Sequence, residues 1–284
     1  MSEEELTRSP LTREFVEREY NNRALVPGHP AFFARWEKDS AYVRETMGCH
    51  LDLPYGPHAR QKVDVFPAPN ARGTLIFIHG GYWRSLDKGM FSWLAASWVA
   101  AGVSVAIPGY RLAPEVGIEH IVDDVIEATN WLAINGSQYG APPNRIVVSG
   151  HSAGGHLTAA LFAAPGSRLA FDPASIVGGV PFSGIFDFEP MLLHAAYNAD
   201  FKLDALRARA LTLVERKPAL PAPLVVAAGG AESSEFQRQS HCLAAAWAPQ
   251  ARGLILPGLN HFSIVDSFAE RGQPLYEEAL KLFG

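Results

Sequence analysis

Cysteine is nearly absent. Cys49 and Cys242 are the only two in 284 residues, and thiols so far apart do not form the disulfide framework that staples small secreted domains. No apolar stretch reaches the roughly 20 residues that a membrane-spanning helix needs, and no run of Lys or Arg gives the footprint of a nucleic-acid or polybasic membrane-binding face. The opening residues Met1 to Leu6 are acidic and polar, without the basic and apolar regions of a secretory signal. The ten histidines show no H-E-x-x-H or similar spacing for a metal. The expectation is a cytoplasmic chain that needs no metal or organic cofactor and acts on a small molecule, with no nucleic acid or membrane partner. A homo-oligomer stays open.

What is present is core-forming material: 48% of residues are hydrophobic and 19% charged, with a formal net charge of −5. That balance suits a globular chain with a sizeable core, and the length suits one domain, 1–284, with small elaborations. From residue 74 onward, short apolar runs bounded by Gly or Pro alternate with longer amphipathic segments, the pattern of parallel strands joined by crossover helices. Strands are expected at 74–79, 103–107, 145–149, 176–182, 223–228 and 252–256. An antiparallel pair, 48–54 and 61–66, is expected at the sheet edge, giving eight strands. Helices are expected at 88–101, 117–136, 153–164, 234–247 and 270–283; in the second, Ile118, Ile121, Val122, Val125, Ile126 and Leu132 mark a buried stripe. Two regions stand outside the alternation, the N-terminal 1–47 and a cap-like insertion at 184–220, and both are candidate covers over a site.

The chemistry gathers at strand ends. Gly150-His151-Ser152-Ala153-Gly154 has the form G-x-S-x-G between an apolar strand and a helix start, the setting in which a tight turn exposes a nucleophilic serine. A serine hydroxyl needs a base, and the base needs an orienting acid, in the chain order Ser, Asp/Glu, His. His261 follows the last strand in Asn260-His261-Phe262, and Glu232 is the first carboxylate after strand 223–228. Glu235 is the rival, but a carboxylate in the first turn of helix 234–247 is accounted for by the helix dipole. His79-Gly80-Gly81-Tyr82-Trp83 ends the first parallel strand, where the amides of Gly81 and Tyr82 with that of Ala153 can form an oxyanion hole. These parts define an α/β-hydrolase fold: a mostly parallel eight-stranded sheet flanked by helices, with Ser152, His261 and Glu232 as the catalytic set.

The run His79-Gly80-Gly81-Tyr82-Trp83 resembles the HGGxW motif of the α/β-hydrolase kynurenine formamidases, or arylformamidases. The blocks Gly150 to Leu157, Ser183 to Asp187, Glu232 to Phe236 and Asn260-His261-Phe262 look like that family's others. The resemblance covers most of the chain from residue 74. It implies hydrolysis of N-formyl-L-kynurenine to L-kynurenine and formate without a metal or organic cofactor. Two departures stand against it: the acid is Glu232 where many such enzymes use Asp, and Tyr110 to Glu115 is similar to a segment of hormone-sensitive-lipase-like carboxylesterases. The alternative is therefore a carboxylesterase for short-chain esters. An aryl leaving group would need an apolar slot, for which Tyr82, Trp83, Phe186 and Phe262 are candidates.

Overall fold

Runs such as Thr74-Leu-Ile-Phe-Ile78 hold β-branched, aliphatic and aromatic residues at every position, so they form strands only where both faces of a sheet are covered. In the computed structural model, which describes residues 11–284, eight strands join one sheet: β1 His50–Pro54, β2 Lys62–Phe66, β3 Thr74–Ile78, β4 Ser104–Pro108, β5 Ile146–His151, β6 Ile176–Phe182, β7 Leu224–Gly229 and β8 Ala251–Leu256. Their order is β1-β2-β4-β3-β5-β6-β7-β8. β1 pairs with β2, and β2 with β4, antiparallel; the other pairings are parallel. The strand order reverses beside β3, and the parallel strands deliver their C-terminal ends to one rim, where α/β folds bind ligands.

Strand alternation divides the core into two layers. Ile76 and Ile78 of β3 join one apolar cluster with residues of α5 (Ile118–Asn135), α6 (Ala153–Ala163) and α9 (Ser234–Ala246). Leu75 and Phe77 join the other, with α3 (His29–Thr46), α4 (Ala95–Ala100), α10 (Ser263–Ala269) and α11 (Pro274–Lys281). Trp98 of α4 is fully buried, its ring 4.3 Å from that of Tyr276 and 5.4 Å from that of Phe268. Truncating such a side chain to alanine costs about 3–5 kcal/mol.

The helices depart from the sequence expectation in two places. Segment 88–101 begins as a 3₁₀ turn, Lys88–Leu94, and becomes α-helical only at Ala95. Gly89 weakens its first turn, and Lys88 is drawn inward by Asp52 (2.9 Å) and Asp64 (2.7 Å). The expected helix 270–283 forms only from Pro274, which opens α11, because Gly272 takes a positive φ of 86° and keeps 270–273 a turn; α10 precedes it, where no helix is expected. In the turn that leads into α10, the Asn260 side-chain oxygen accepts from the amides of Phe262 and Ser263.

Before the sheet lie α1 (Arg13–Glu19), α2 (Asn22–Leu25) and α3; the first ten residues of the expected 1–47 cover lie outside the described residues. Between β6 and β7 run α7 (Ala195–Phe201) and α8 (Ala205–Leu211), anchored in the core by Phe186, Phe188, Met191, Phe201 and Leu211.

Candidate active site

β5 ends at His151 and α6 begins at Ala153, so the chain reverses at Ser152, with φ 56° and ψ −118°. A non-glycine residue in this region is strained by roughly 1–3 kcal/mol and persists only where its surroundings over-determine it. They do so here by close packing: a Cβ on Gly154 would lie 1.9 Å from the Ile78 carbonyl oxygen, so only glycine lets α6 pack against the end of β3. Ser152 therefore stands at the strand end, facing a cavity that His261 also lines.

His261 and Glu232, far apart in sequence, meet because the loops after β7 and β8 are neighbours. The His261 Nδ1–H donates to Glu232 Oε2 at 2.7 Å. The other carboxylate oxygen accepts from the Gly229 amide (2.6 Å) and the Ser183 hydroxyl (2.5 Å). Three donors fix the carboxylate, and with Nδ1 donating to it, Nε2 is the ring nitrogen turned away from Glu232. The imidazole is clamped by Phe236 and His151, with ring centres at 4.7 and 4.6 Å. Burial, with the His261 ring beside it, drives the His151 pKa well below the usual histidine value, so this neighbour adds no positive charge.

Glu235 is engaged elsewhere. Its carboxylate accepts from the Tyr20 hydroxyl at 2.7 Å and from Arg238 at 2.7 and 2.9 Å.

The loop after β3 carries positive φ at Gly81 (115°), Tyr82 (51°) and Trp83 (55°) in succession. Gly81 is irreplaceable on steric grounds, since a Cβ there would lie 2.1 Å from the Ser85 carbonyl oxygen. The turn closes through the Arg84 and Ser85 amides onto Gly81 O (3.1 and 3.0 Å). Among the described residues, the Gly81 and Tyr82 amides donate to no protein group, and Ala153, first residue of α6, has an amide that the helix itself does not use. Gly80 packs on the turn at Ser152, where an added Cβ would meet Ser152 Cβ at 3.0 Å. The loop is held from behind by His79, stacked at 4.2 Å on Tyr110, whose hydroxyl donates to His79 O at 2.7 Å.

The cavity has a volume of about 260 Å³, at the small end for ligand pockets, and its wall includes Phe33, Trp36, Tyr82, Phe91, Tyr197 and Phe262. Of the aromatics proposed from sequence for an aryl slot, Tyr82 and Phe262 line it and Trp83 and Phe186 do not. Trp83 turns into the core against His156, Phe188 and Phe201, and Phe186 is fully buried. Their places are taken by Phe33 and Trp36 of α3, by Phe91, and by Tyr197 of α7. Local spacing cannot reveal these, because each reaches the site through a long-range contact. Ser183 was also missed as a partner of Glu232; its signal is a small hydroxyl at the C-terminal end of β6, in a left-handed conformation with φ 51°. No group of three or more His, Cys, Asp or Glu able to hold a metal occurs among the described residues, and no helix among them is long and apolar enough to cross a membrane.

Residues 75–217 match a family described as having the alpha/beta hydrolase fold. A kynurenine formamidase of Salmo salar is 26% identical, aligned over 99% of this chain and 98% of that protein; one of Danio rerio is 28% identical over 92% and 89%. A crystal structure from Silicibacter sp. TM1040, provisionally described as a thioesterase, is 33% identical with a TM-score of 0.84, covering 92% of this chain and 97% of that one. Esterase B of Lactobacillus rhamnosis shares the fold at 17% identity, with a TM-score of 0.70 over 92% and 96%. The chain belongs to the α/β-hydrolase fold family and is a hydrolase. It is a homologue of the kynurenine formamidases over most of its length.

Proposed function

We propose that this hydrolase cleaves an aryl formamide, N-formyl-L-kynurenine, to L-kynurenine and formate. Ser152 is the nucleophile, His261 the general base and acid, and Glu232 the residue that orients His261. The amides of Gly81, Tyr82 and Ala153 form the oxyanion hole. The observation that carries the reading is the cavity: Ser152 and His261 open into a small space walled by aromatic rings, suited to a flat aryl group and a minimal acyl group. Similarity to kynurenine formamidases supports it.

Ser152 Oγ attacks the formyl carbon as His261 Nε2 takes its proton, and the negative oxygen rests on the backbone amides, each worth about 3 kcal/mol in the transition state. His261 then gives that proton to the departing anilide nitrogen as the C–N bond breaks, leaving a formyl ester on Ser152 and a free arylamine. Water, deprotonated by His261, attacks the ester, and formate leaves as Ser152 recovers its proton. A short-chain carboxylesterase would use the same residues, and the esterase-like segment Tyr110 to Glu115 favours that second reading. The test is kcat/KM for N-formylkynurenine, simple aryl formamides and p-nitrophenyl acetate on one preparation. The formamidase reading expects N-formylkynurenine to lead by roughly tenfold or more, an advantage of about 1.4 kcal/mol. A preparation that favours the acetate ester overturns it.

A further inference from the structure

Among the described residues, the cavity wall carries two cations, Arg23 and Arg84, and no carboxylate, in a chain whose formal net charge is −5. Arg84 is paired with Asp200 at 2.8 Å. Arg23 has no carboxylate partner among the described residues, and its guanidinium lies 5.5 Å from the ring centre of Phe33, itself a wall residue. Both arginines bracket Tyr197. Arg84 sits 5.6 Å from that ring, and burial raises the Tyr197 phenol pKa while both guanidiniums pull it down. Next to Arg23, Asn22 is buried and donates to the Tyr82 hydroxyl at 3.4 Å, which fixes the short helix α2 against the oxyanion loop. An unpaired guanidinium held at the edge of an apolar cavity presents a planar fork of donors that matches a carboxylate.

We infer that Arg23, with Arg84 beside it, receives a carboxylate carried by the leaving group, so that the pocket selects an aryl amide or ester that bears a carboxylate over one of the same size that lacks it. This rests on the reading that Ser152 attacks acyl groups held in this cavity. Arg23 touches no reacting atom; it sets specificity. The carboxylate is held at the mouth by the guanidiniums and the ring slides between the aromatic walls, which places the acyl carbon toward Ser152.

The test compares N-formyl-L-kynurenine with its primary amide, which keeps the size and the amino group and removes only the carboxylate's charge. In the parent enzyme kcat/KM for the acid is expected to exceed that for the amide by about tenfold, mostly through KM, as suits one charge-assisted pair near solvent. Arg23→Gln should collapse that ratio toward one, Arg23→Lys should restore part of it, and added salt should lower it in the parent. The inference is overturned if the ratio is already near one in the parent or survives unchanged in Arg23→Gln. Inhibition of p-nitrophenyl acetate hydrolysis by L-kynurenine and by L-kynurenine amide reads the same ratio as inhibition constants. A parent that hydrolyses the ester but neither formamide thus defeats the formamidase reading, while the inhibitor ratio still decides the role of Arg23.

Discussion

At the scale of single residues, the two oxygens of Glu232 are divided between tasks: Oε1 is taken by the Gly229 amide and the Ser183 hydroxyl, and Oε2 is left for His261. Glu235 spends its carboxylate on Tyr20 and Arg238. The proposed catalytic set therefore predicts unequal variants. Ser152→Ala and His261→Ala should each lower kcat by something approaching 10⁶, and Glu232→Ala by one or two orders less, since such residues act as a unit. Ser183→Ala, which leaves the Gly229 bond to Glu232 in place, should cost no more than about tenfold, one hydrogen bond to a charged group. Glu235→Ala should keep kcat and lower thermal stability, because Tyr20 and Arg238 lose their buried partner. Steady-state kinetics beside thermal melts distinguish these, and a crippled Glu235→Ala with an active Glu232→Ala would refute the assignment. Ser152, Glu232 and His261 are legible in the sequence because each follows a strongly apolar run and the fold prescribes their order. Ser183 is not, since its role exists only because the end of β6 lies beside that of β7.

At the scale of elements, the N-terminal helices both pack against the domain and contribute residues to the cavity lining. Tyr20 is fully buried on α9, its ring 5.6 Å from Phe236 and its hydroxyl bonded to Glu235 and to Gln239 (2.8 Å). Asn22, Arg23, Phe33 and Trp36 line the cavity. We propose that this segment encloses the substrate as well as completing the core. Deleting residues 1–25 removes α1, α2 and Tyr20, whose burial alone is worth about 3–5 kcal/mol, and opens one side of the cavity to water. The expected outcome is a fall in both melting temperature and kcat/KM; a truncated protein that melts lower yet turns over substrate as the parent does would assign the segment to packing alone. The central strands β3 to β7 are readable to within a residue or two because burial on both faces leaves an uninterrupted apolar run. α10 is not, because it is only seven residues long, has no side-chain cap at its start, and ends at Ala269 just before the Gly272 turn.

At the scale of the whole molecule, the buried histidines couple folding to pH. His79, His151 and His156 are almost or entirely shielded from solvent. Burial lowers the pKa of His79 and His156 from 6.5 to about 4, partly offset by bonds to the carbonyls of Gly80 and Leu211; it lowers that of His151 well below the usual value, with His261 adding to the effect. In the unfolded chain each takes up its proton near pH 6.5. Between that pH and about 4 the unfolded state therefore binds more protons than the folded one, and stability falls as pH falls through this window. The slope approaches about 1.4 kcal/mol per pH unit for each histidine, or roughly 4 for the three together. Asp64 opposes this, since burial raises its carboxyl pKa despite the Lys88 ion pair, but it is one group against three. Urea midpoints measured at intervals from pH 7.5 down to about 4.5 should decline steadily below 6.5. His156→Gln, which removes one titrating ring remote from the cavity wall, should flatten the decline by about a third even where it lowers stability at neutral pH. Midpoints that stay level across the window would mean that these imidazoles find protons, or water, in the folded chain, and that the packing behind the loop after β3 and the turn at Ser152 is looser than their burial shows.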